Sequence, residues 1–311
     1  MGNVENKEII TSNFPVEDIL YKFYSQKTAL CVLDNLEFKF SHYSTYNDPF
    51  ESWVLYVSPL LKSIRDLELN DSILTEKEEL EARKFGFYYN SSTSSYEENC
   101  YFEIRRKIEK KYRLHRILCL SSTCENPLLW GHYTENSTGL AIGLDFDKLK
   151  DKFKKRLKPM RYSRFPIEGD ENNALFTKYI DWSYENEWRI LIKHKYIRFL
   201  KLHVNDVTLN DLYIRFPEEY IKRIVFAPKA DADFMNKILR LIESKRTNKF
   251  NPEIFCSYLS KNEYKVYPLY YDIRNEKDIE HFRIYKEFNL YTNEYALDRY
   301  SKWKHEKDGI S

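Results

Sequence analysis

Glycine scarcity sets the first limit on this chain. Only seven occur in 311 residues, at Gly2, Gly86, Gly131, Gly139, Gly143, Gly169 and Gly309. A dinucleotide-binding Gly-x-Gly-x-x-Gly turn and a Gly-x-x-x-x-Gly-Lys-Ser/Thr phosphate loop both need clustered glycines, because only a backbone without Cβ lets phosphate approach so closely. Neither spacing can be written from these seven. The chain therefore argues against a Rossmann dehydrogenase and a P-loop ATPase.

At this length, with 42% hydrophobic and 16% aromatic residues, the chain can bury a substantial core. Fifty basic against 48 acidic residues leave a net charge of +2, so no global field points to nucleic acid or membrane. Met1 to Asn13 is polar and lacks the apolar centre of a signal peptide. No apolar run approaches the roughly 20 residues of a membrane helix. Cys31, Cys100, Cys119, Cys124 and Cys256 are scattered and form no Cys-x-x-Cys pair. They read as reduced thiols, and no metal site is expected from the cysteine and histidine spacings. A cytoplasmic protein without membrane contact is the expectation.

Hydrophobic alternation predicts strands at 19–24 and 36–40, with a short helix near 28–33 between them. Asn47-Asp48-Pro49-Phe50-Glu51 is a turn signature. The interval from about 61 to 116 reads as a helical insertion, with helices at 75–84 and around Tyr101 to Tyr112 separated by a Ser/Thr loop at 90–95. A strand at 117–120 leads to Asn126-Pro127, an N-cap followed by proline at the first helical position, and then to a return strand at 139–146. Further strands are expected at 221–226, 254–259 and 264–271, with a helix at 231–244. The whole predicts an α+β fold: a mixed, mostly antiparallel sheet with helices on its faces. We read 1–311 as a single domain, with a core at 19–228 and a C-terminal helix, strands and tail at 229–311.

The segment richest in chemistry is Asp181-Trp182-Ser183-Tyr184-Glu185-Asn186-Glu187-Trp188-Arg189, which runs into the apolar Ile190-Leu191-Ile192. If the chain is already extended at Glu185, then Glu185 and Glu187 share one face of a strand, with Trp188 and Ile190 on the other. Two carboxylates beside aromatic walls suit a site that meets developing positive charge or binds a sugar hydroxyl. The plainer alternative is an exposed strand edge bearing Glu185, Glu187 and Arg189 over packed tryptophans. His132-Tyr133 and Trp130 lie on the short capped helix. Lys148, Lys150, Lys152, Lys154, Lys155, Arg156 and Lys158 form a basic stretch that fits the wet face of a surface helix.

Leu20-Tyr21-Lys22-Phe23, Asn47-Asp48-Pro49-Phe50-Glu51, Leu129-Trp130-Gly131-His132-Tyr133 with Gly139, and Asp181-Trp182-x-Tyr184-Glu185-x-Glu187-Trp188-Arg189 resemble the ordered motifs of a bacterial family. It is the domain-of-unknown-function family numbered 2971, and the likeness covers Ile19 to Pro228. Phe226-Ala227-Pro228 departs from the glycine expected after that strand. The opening strand, helix and second strand are also similar to the start of ADP-ribosyltransferase-like toxins.

That second resemblance implies an NAD-consuming enzyme, a toxin or phage-defence effector with a neutralising or regulatory partner. NAD would be the substrate, and the acceptor a protein or nucleic acid. It implies Glu187 as the carboxylate that stabilises the ribose cation and Glu185 facing the acceptor. Tyr133 and His132 would lie beside them, with Tyr21, Lys22, Trp130 and Arg189 on the NAD side. Lys22 stands where His or Arg is usual. Two other readings stay open. One is a metal-dependent nuclease using Asp181, Glu185 and Glu187, and the other is a non-enzymatic module binding nucleic acid or protein through Lys148 to Lys158.

Overall fold

The computed structural model describes residues 9–48, 54–55, 87–90, 95–98, 112, 114–164, 167–168, 171–193, 203–207, 211–260 and 263–270. These fall into two compact units. The first draws on 1–10, 42–115 and 161–182, and the second on 11–41, 116–160 and 183–311.

In chain order the strands are β1 (Ile9–Thr11), β2 (Ile19–Tyr24), β3 (Glu37–Ser41), β4 (Val54–Leu55), β5 (Phe87–Asn90), β6 (Ser95–Glu98), β7 (His115–Ser121), β8 (Leu140–Asp145) and β9 (Leu157–Pro159). They continue with β10 (Arg161–Ser163), β11 (Ile167–Glu168), β12 (Thr177–Tyr179), β13 (Glu187–Lys193), β14 (His203–Val207), β15 (Asp211–Arg215), β16 (Ile221–Phe226), β17 (Glu253–Leu259) and β18 (Val266–Tyr270). Among the described residues the α-helices are α1 (Gln26–Asn35), α2 (Pro127–Tyr133), α3 (Phe146–Phe153) and α4 (Ala232–Ser244).

In the first unit, the described part of the expected helical insertion includes an antiparallel hairpin, β5 with β6, around the Ser/Thr stretch. The helix expected at 75–84, most of that around Tyr101 to Tyr112, and residues 49–51 of the turn signature lie outside the described residues.

The second unit is α+β, as the sequence implied. Its sheet runs β14-β15-β3-β7-β2-β8-β16-β17-β18, with β13 pairing β7 and β9. The pairings with a described register are antiparallel except β16 with β17. Among the described residues, β2 and β7 share one register pair, Tyr21 opposite Ser121.

Alternation explains the packing. Even positions of β3 and β7 (Phe38, Phe40, Leu118, Leu120) and of β13 (Trp188, Ile190, Ile192) join the main core, together with the apolar stripes of α1, α3 and α4. Odd positions of β2 (Ile19, Tyr21, Phe23) form a second core with Leu129 and Trp130 of α2. Helices α2 and α4 begin where the sequence predicts. Helix α1 starts at Gln26 rather than near 28, and α3 starts at Phe146, where the strand was expected to end. The Asn126 side chain accepts from Leu128 N at 2.9 Å, Asp145 from Lys148 N at 3.0 Å, and Asp231 from Phe234 N at 2.7 Å.

Between α2 and β8 the chain turns through three left-handed residues, Glu135, Asn136 and Ser137, at φ 53°, 61° and 68°. It then passes Gly139, where a Cβ would lie 1.9 Å from the Tyr24 carbonyl oxygen. Gly143 opens β8 in another way. A Cβ there would meet Ile19, the Arg223 Cβ at 3.0 Å and the Tyr21 ring at 3.3 Å.

Candidate functional site

The site is built where β7, β13 and α2 of the second unit meet. Glu187 and Arg189 lie two residues apart on β13, so both side chains leave the face opposite Trp188 and Ile190. The Arg189 guanidinium donates from Nε to Glu187 Oε1 at 2.7 Å and from Nη2 to Oε2 at 3.3 Å. Both are buried: Glu187 is 4% exposed and Arg189 1%. The exposed-edge alternative therefore fails.

Glu185 reaches the same place by a different route. The chain is 3-10 helical over Ile180–Glu185, and Asn186 turns through φ 43° before the strand starts at Glu187. The two glutamates thus do not alternate along one strand, because extended structure begins two residues after Glu185. They are brought together by α2 instead. The Tyr133 hydroxyl donates to Glu185 Oε1 at 2.5 Å. Burial and the Glu185 carboxylate, with a smaller push from Glu187, hold the phenol well above its ordinary range, so it stays a neutral donor.

The backbone between the glutamates is pinned from several sides. Ser121 Oγ donates to the Glu185 carbonyl at 2.6 Å, and Ser122 N to that of Asn186 at 3.1 Å. The Glu187 carbonyl accepts from Ser12 Oγ at 2.7 Å and Met160 N at 2.8 Å. Such anchoring fixes both carboxylates relative to Tyr133.

Cys119 of β7 completes the cluster. Burial pushes its thiol up to about 12, the adjacent Glu187 carboxylate adds to this, and Arg189 and Lys22 oppose it. The thiol is neutral at physiological pH and hydrogen-bonds to Glu187. Lys22, half-buried on β2, is close enough for its ammonium to act on that thiol. His132 is exposed at the end of α2, its ring 6.2 Å from that of Tyr184 at 34°.

Of the residues expected in a site, Glu185, Glu187, Tyr133 and Arg189 converge, with Lys22 beside them and His132 on the outer side. Two do not. Trp130 is wholly buried and its indole nitrogen donates to the Cys124 carbonyl at 2.7 Å, while Phe23 meets its ring at 5.0 Å. No ring face is left for a ligand, so it is a core residue. Tyr21 extends over β8, away from β7, and its hydroxyl accepts from Arg223 Nη1 at 3.0 Å. It belongs to a second network in which Arg223 also binds Glu17 at 2.7 Å and Glu253 at 3.0 Å and stacks 4.2 Å from the Phe255 ring. Burial, then the neighbouring Cys124, raise the Tyr21 phenol well above its ordinary range.

For the nuclease reading, Asp181 falls in the first unit and Glu185 and Glu187 in the second. Among the described residues no three His, Cys, Asp or Glu side chains are arranged to hold a metal ion. None of the described helices is long and apolar enough to cross a membrane.

Cys119 and Arg223 were not foreseen as partners. Arg223 had one signal: it shares a strand face with Val225, where a charged group must find buried partners. Nothing in the sequence tied Cys119 to Glu187. Searches of protein-family models, of curated proteins and of solved structures find no match to this chain.

Proposed function

We propose that this chain is an NAD-consuming enzyme of the ADP-ribosyltransferase-like kind, related to the bacterial family numbered 2971 and acting in the cytoplasm as a toxin or phage-defence effector. The observation that carries the reading is the convergence of Glu185 and Glu187 on Tyr133. Two buried carboxylates beside one neutral phenol suit a group that becomes positive as it reacts.

In the proposed reaction the bond between the ribose anomeric carbon and nicotinamide breaks, and the electron pair leaves with nicotinamide. The sugar becomes an oxocarbenium-like cation. Glu187, oriented by Arg189 and the Cys119 thiol, accepts from the ribose 2-hydroxyl and stabilises that cation, as a carboxylate does in glycoside cleavage. An acceptor hydroxyl, amine or water adds to the anomeric carbon and passes its proton to Glu185. Tyr133 holds Glu185 in place and lends its ring as a wall for the flat nicotinamide. Lys22 offers a cation to a phosphate or ribose oxygen.

The test is nicotinamide release from NAD. Glu187→Gln removes the charge and keeps the shape, and is expected to slow release by roughly 100-fold or more. Absence of release from the wild-type chain, or equal rates in wild type and Glu187→Gln, would overturn the reading.

A further inference from the structure

On the far side of β13 from Glu187 the chain presents an aromatic ring to water and holds it still. Phe14 is 72% exposed. It stands edge-on to Trp188, centroids 5.4 Å apart at 61°, and to Phe146 of α3, 6.4 Å apart at 88°. The backbone before it is fixed at both ends of one residue. The Asn13 carbonyl accepts from Trp188 Nε1 at 2.9 Å, and Asn13 N donates to Asn186 Oδ1 at 3.3 Å. Buried Pro15 follows, at φ −65°. A large apolar ring left in water and rigid beforehand loses little entropy when something stacks on it.

The surroundings of Phe14 are cationic. Lys150 lies one turn along α3 from Phe146, its Nζ 5.8 Å from that ring, and Lys154 follows as the residue that ends α3, at φ 48°. Lys150, Lys154 and Lys155 are exposed. From 145 to 158 the chain carries seven basic residues against three aspartates. Lys148 is drawn toward the Glu219 carbonyl at 2.7 Å, which leaves Lys150, Lys154 and Lys155 as the more exposed lysines from 146 to 155.

We propose that Phe14 with Lys150, Lys154 and Lys155 forms a binding surface for single-stranded nucleic acid, an unpaired base stacking on Phe14 and the phosphates following the lysines. One aromatic platform beside clustered cations is the combination that sequence-tolerant single-strand binding uses. A duplex hides its base faces and offers the platform nothing. A bilayer fits less well, because α3 spends its apolar side (Phe146, Leu149, Phe153) on the core and has no apolar face to insert. The surface is separate from the carboxylate cluster, and its test needs no NAD.

The experiment is fluorescence anisotropy of the full chain with a labelled single strand of roughly 12 nucleotides, oligo-U and oligo-dT in separate arms, against a duplex of equal length. The single strand is expected to bind more tightly than the duplex. Phe14→Ala should weaken single-strand binding about tenfold and leave duplex binding unchanged. Lys150→Glu with Lys154→Glu should weaken both and flatten the salt dependence. Both variants alter exposed side chains, and thermal melting by circular dichroism should show them folded. No binding by the wild-type chain, equal binding of both variants, or a preference for anionic vesicles lost with the same residues would overturn the proposal. Comparison of the oligo-U and oligo-dT arms assigns the surface to RNA, to DNA or to both.

Discussion

Arg189 and Arg223 invite comparison. Both are buried arginines on one sheet, each with a glutamate at 2.7 Å, a tyrosine hydroxyl nearby and a protonated thiol at the edge. They differ in where the negative charge ends. Glu17 and Glu253, the partners of Arg223, are each about one-third exposed, so water shares the work of solvating them. Glu187 and Glu185 are each 4% exposed. Around Arg223, burial works against the charge, but Tyr21, Glu17 and Glu253 outweigh it and the guanidinium is held firmly protonated. The Arg223 network is a clamp whose surplus acidity is screened. The Arg189 network keeps its glutamates out of water, where losing a partner is costly.

The comparison breaks first on the arginines themselves. Methionine keeps the side-chain stem and removes the charge. Arg189→Met strands the buried Glu187 carboxylate and is expected to cost about 3–5 kcal/mol in urea denaturation. Arg223→Met leaves carboxylates that can turn to water, and should cost about 1.5–3 kcal/mol. The reverse order would mean that the two sites are of one kind.

The phenols sharpen it. Tyr133→Phe removes a hydrogen bond to a buried carboxylate, for roughly 1.5–3 kcal/mol, and should also lower nicotinamide release. Tyr21→Phe removes one of several bonds to Arg223, for roughly 1 kcal/mol, and should leave release unchanged. Equal effects on release would erase the distinction.

The thiols should behave alike in both networks. Burial, first among the causes, raises Cys119 and Cys124 to about 12. A raised folded value means stability that is complete below the unfolded thiol value, near 8.5, and lost as pH climbs toward about 12. Alkaline titration followed by fluorescence should show that loss. Iodoacetamide near neutral pH should modify exposed Cys31 and spare Cys119 and Cys124.

Asp231, outside both networks, gives the smallest effect and a control. Its carboxyl is held below the ordinary range by the Phe234 amide first and Gln26 next. Such a group contributes stability above its unfolded value, lost as pH falls through the lowered folded one. Asp231→Ala should cost about 1 kcal/mol at pH 7, and the gap to wild type should close in acid.

Much of this arrangement was legible in the residues. Trp188 and Ile190 pack where alternation puts them, and Asn126, Pro127 and Asp231 start helices for local reasons. The fold class followed from the same local signals. What stayed hidden was pairing at a distance. Periodicity says which face of β16 is apolar, but not that Tyr21 will cross β8 to find Arg223. Trp130 belongs to the core because Phe23 lies opposite, a fact about β2 rather than about α2. The two glutamates came together, though not on one strand, because Asn186 adopts a left-handed turn that its neighbours do not announce.

The meeting of β2 and β7 at Tyr21 and Ser121 has a mechanical consequence. Neighbouring joints such as β2 with β8 are laced along six residues, whereas this joint is laced at one. Opening there ruptures few backbone bonds. The β3–β7 joint on the other edge of β7 is likewise held at one register pair, so the sheet parts beside β7 with little work. In hydrogen–deuterium exchange, the amides facing the β2–β7 joint should lose protection before those between β8 and β16. Lys22 and Cys119 sit on its two lips, so spreading the joint moves the lysine away from the carboxylates without unfolding either half.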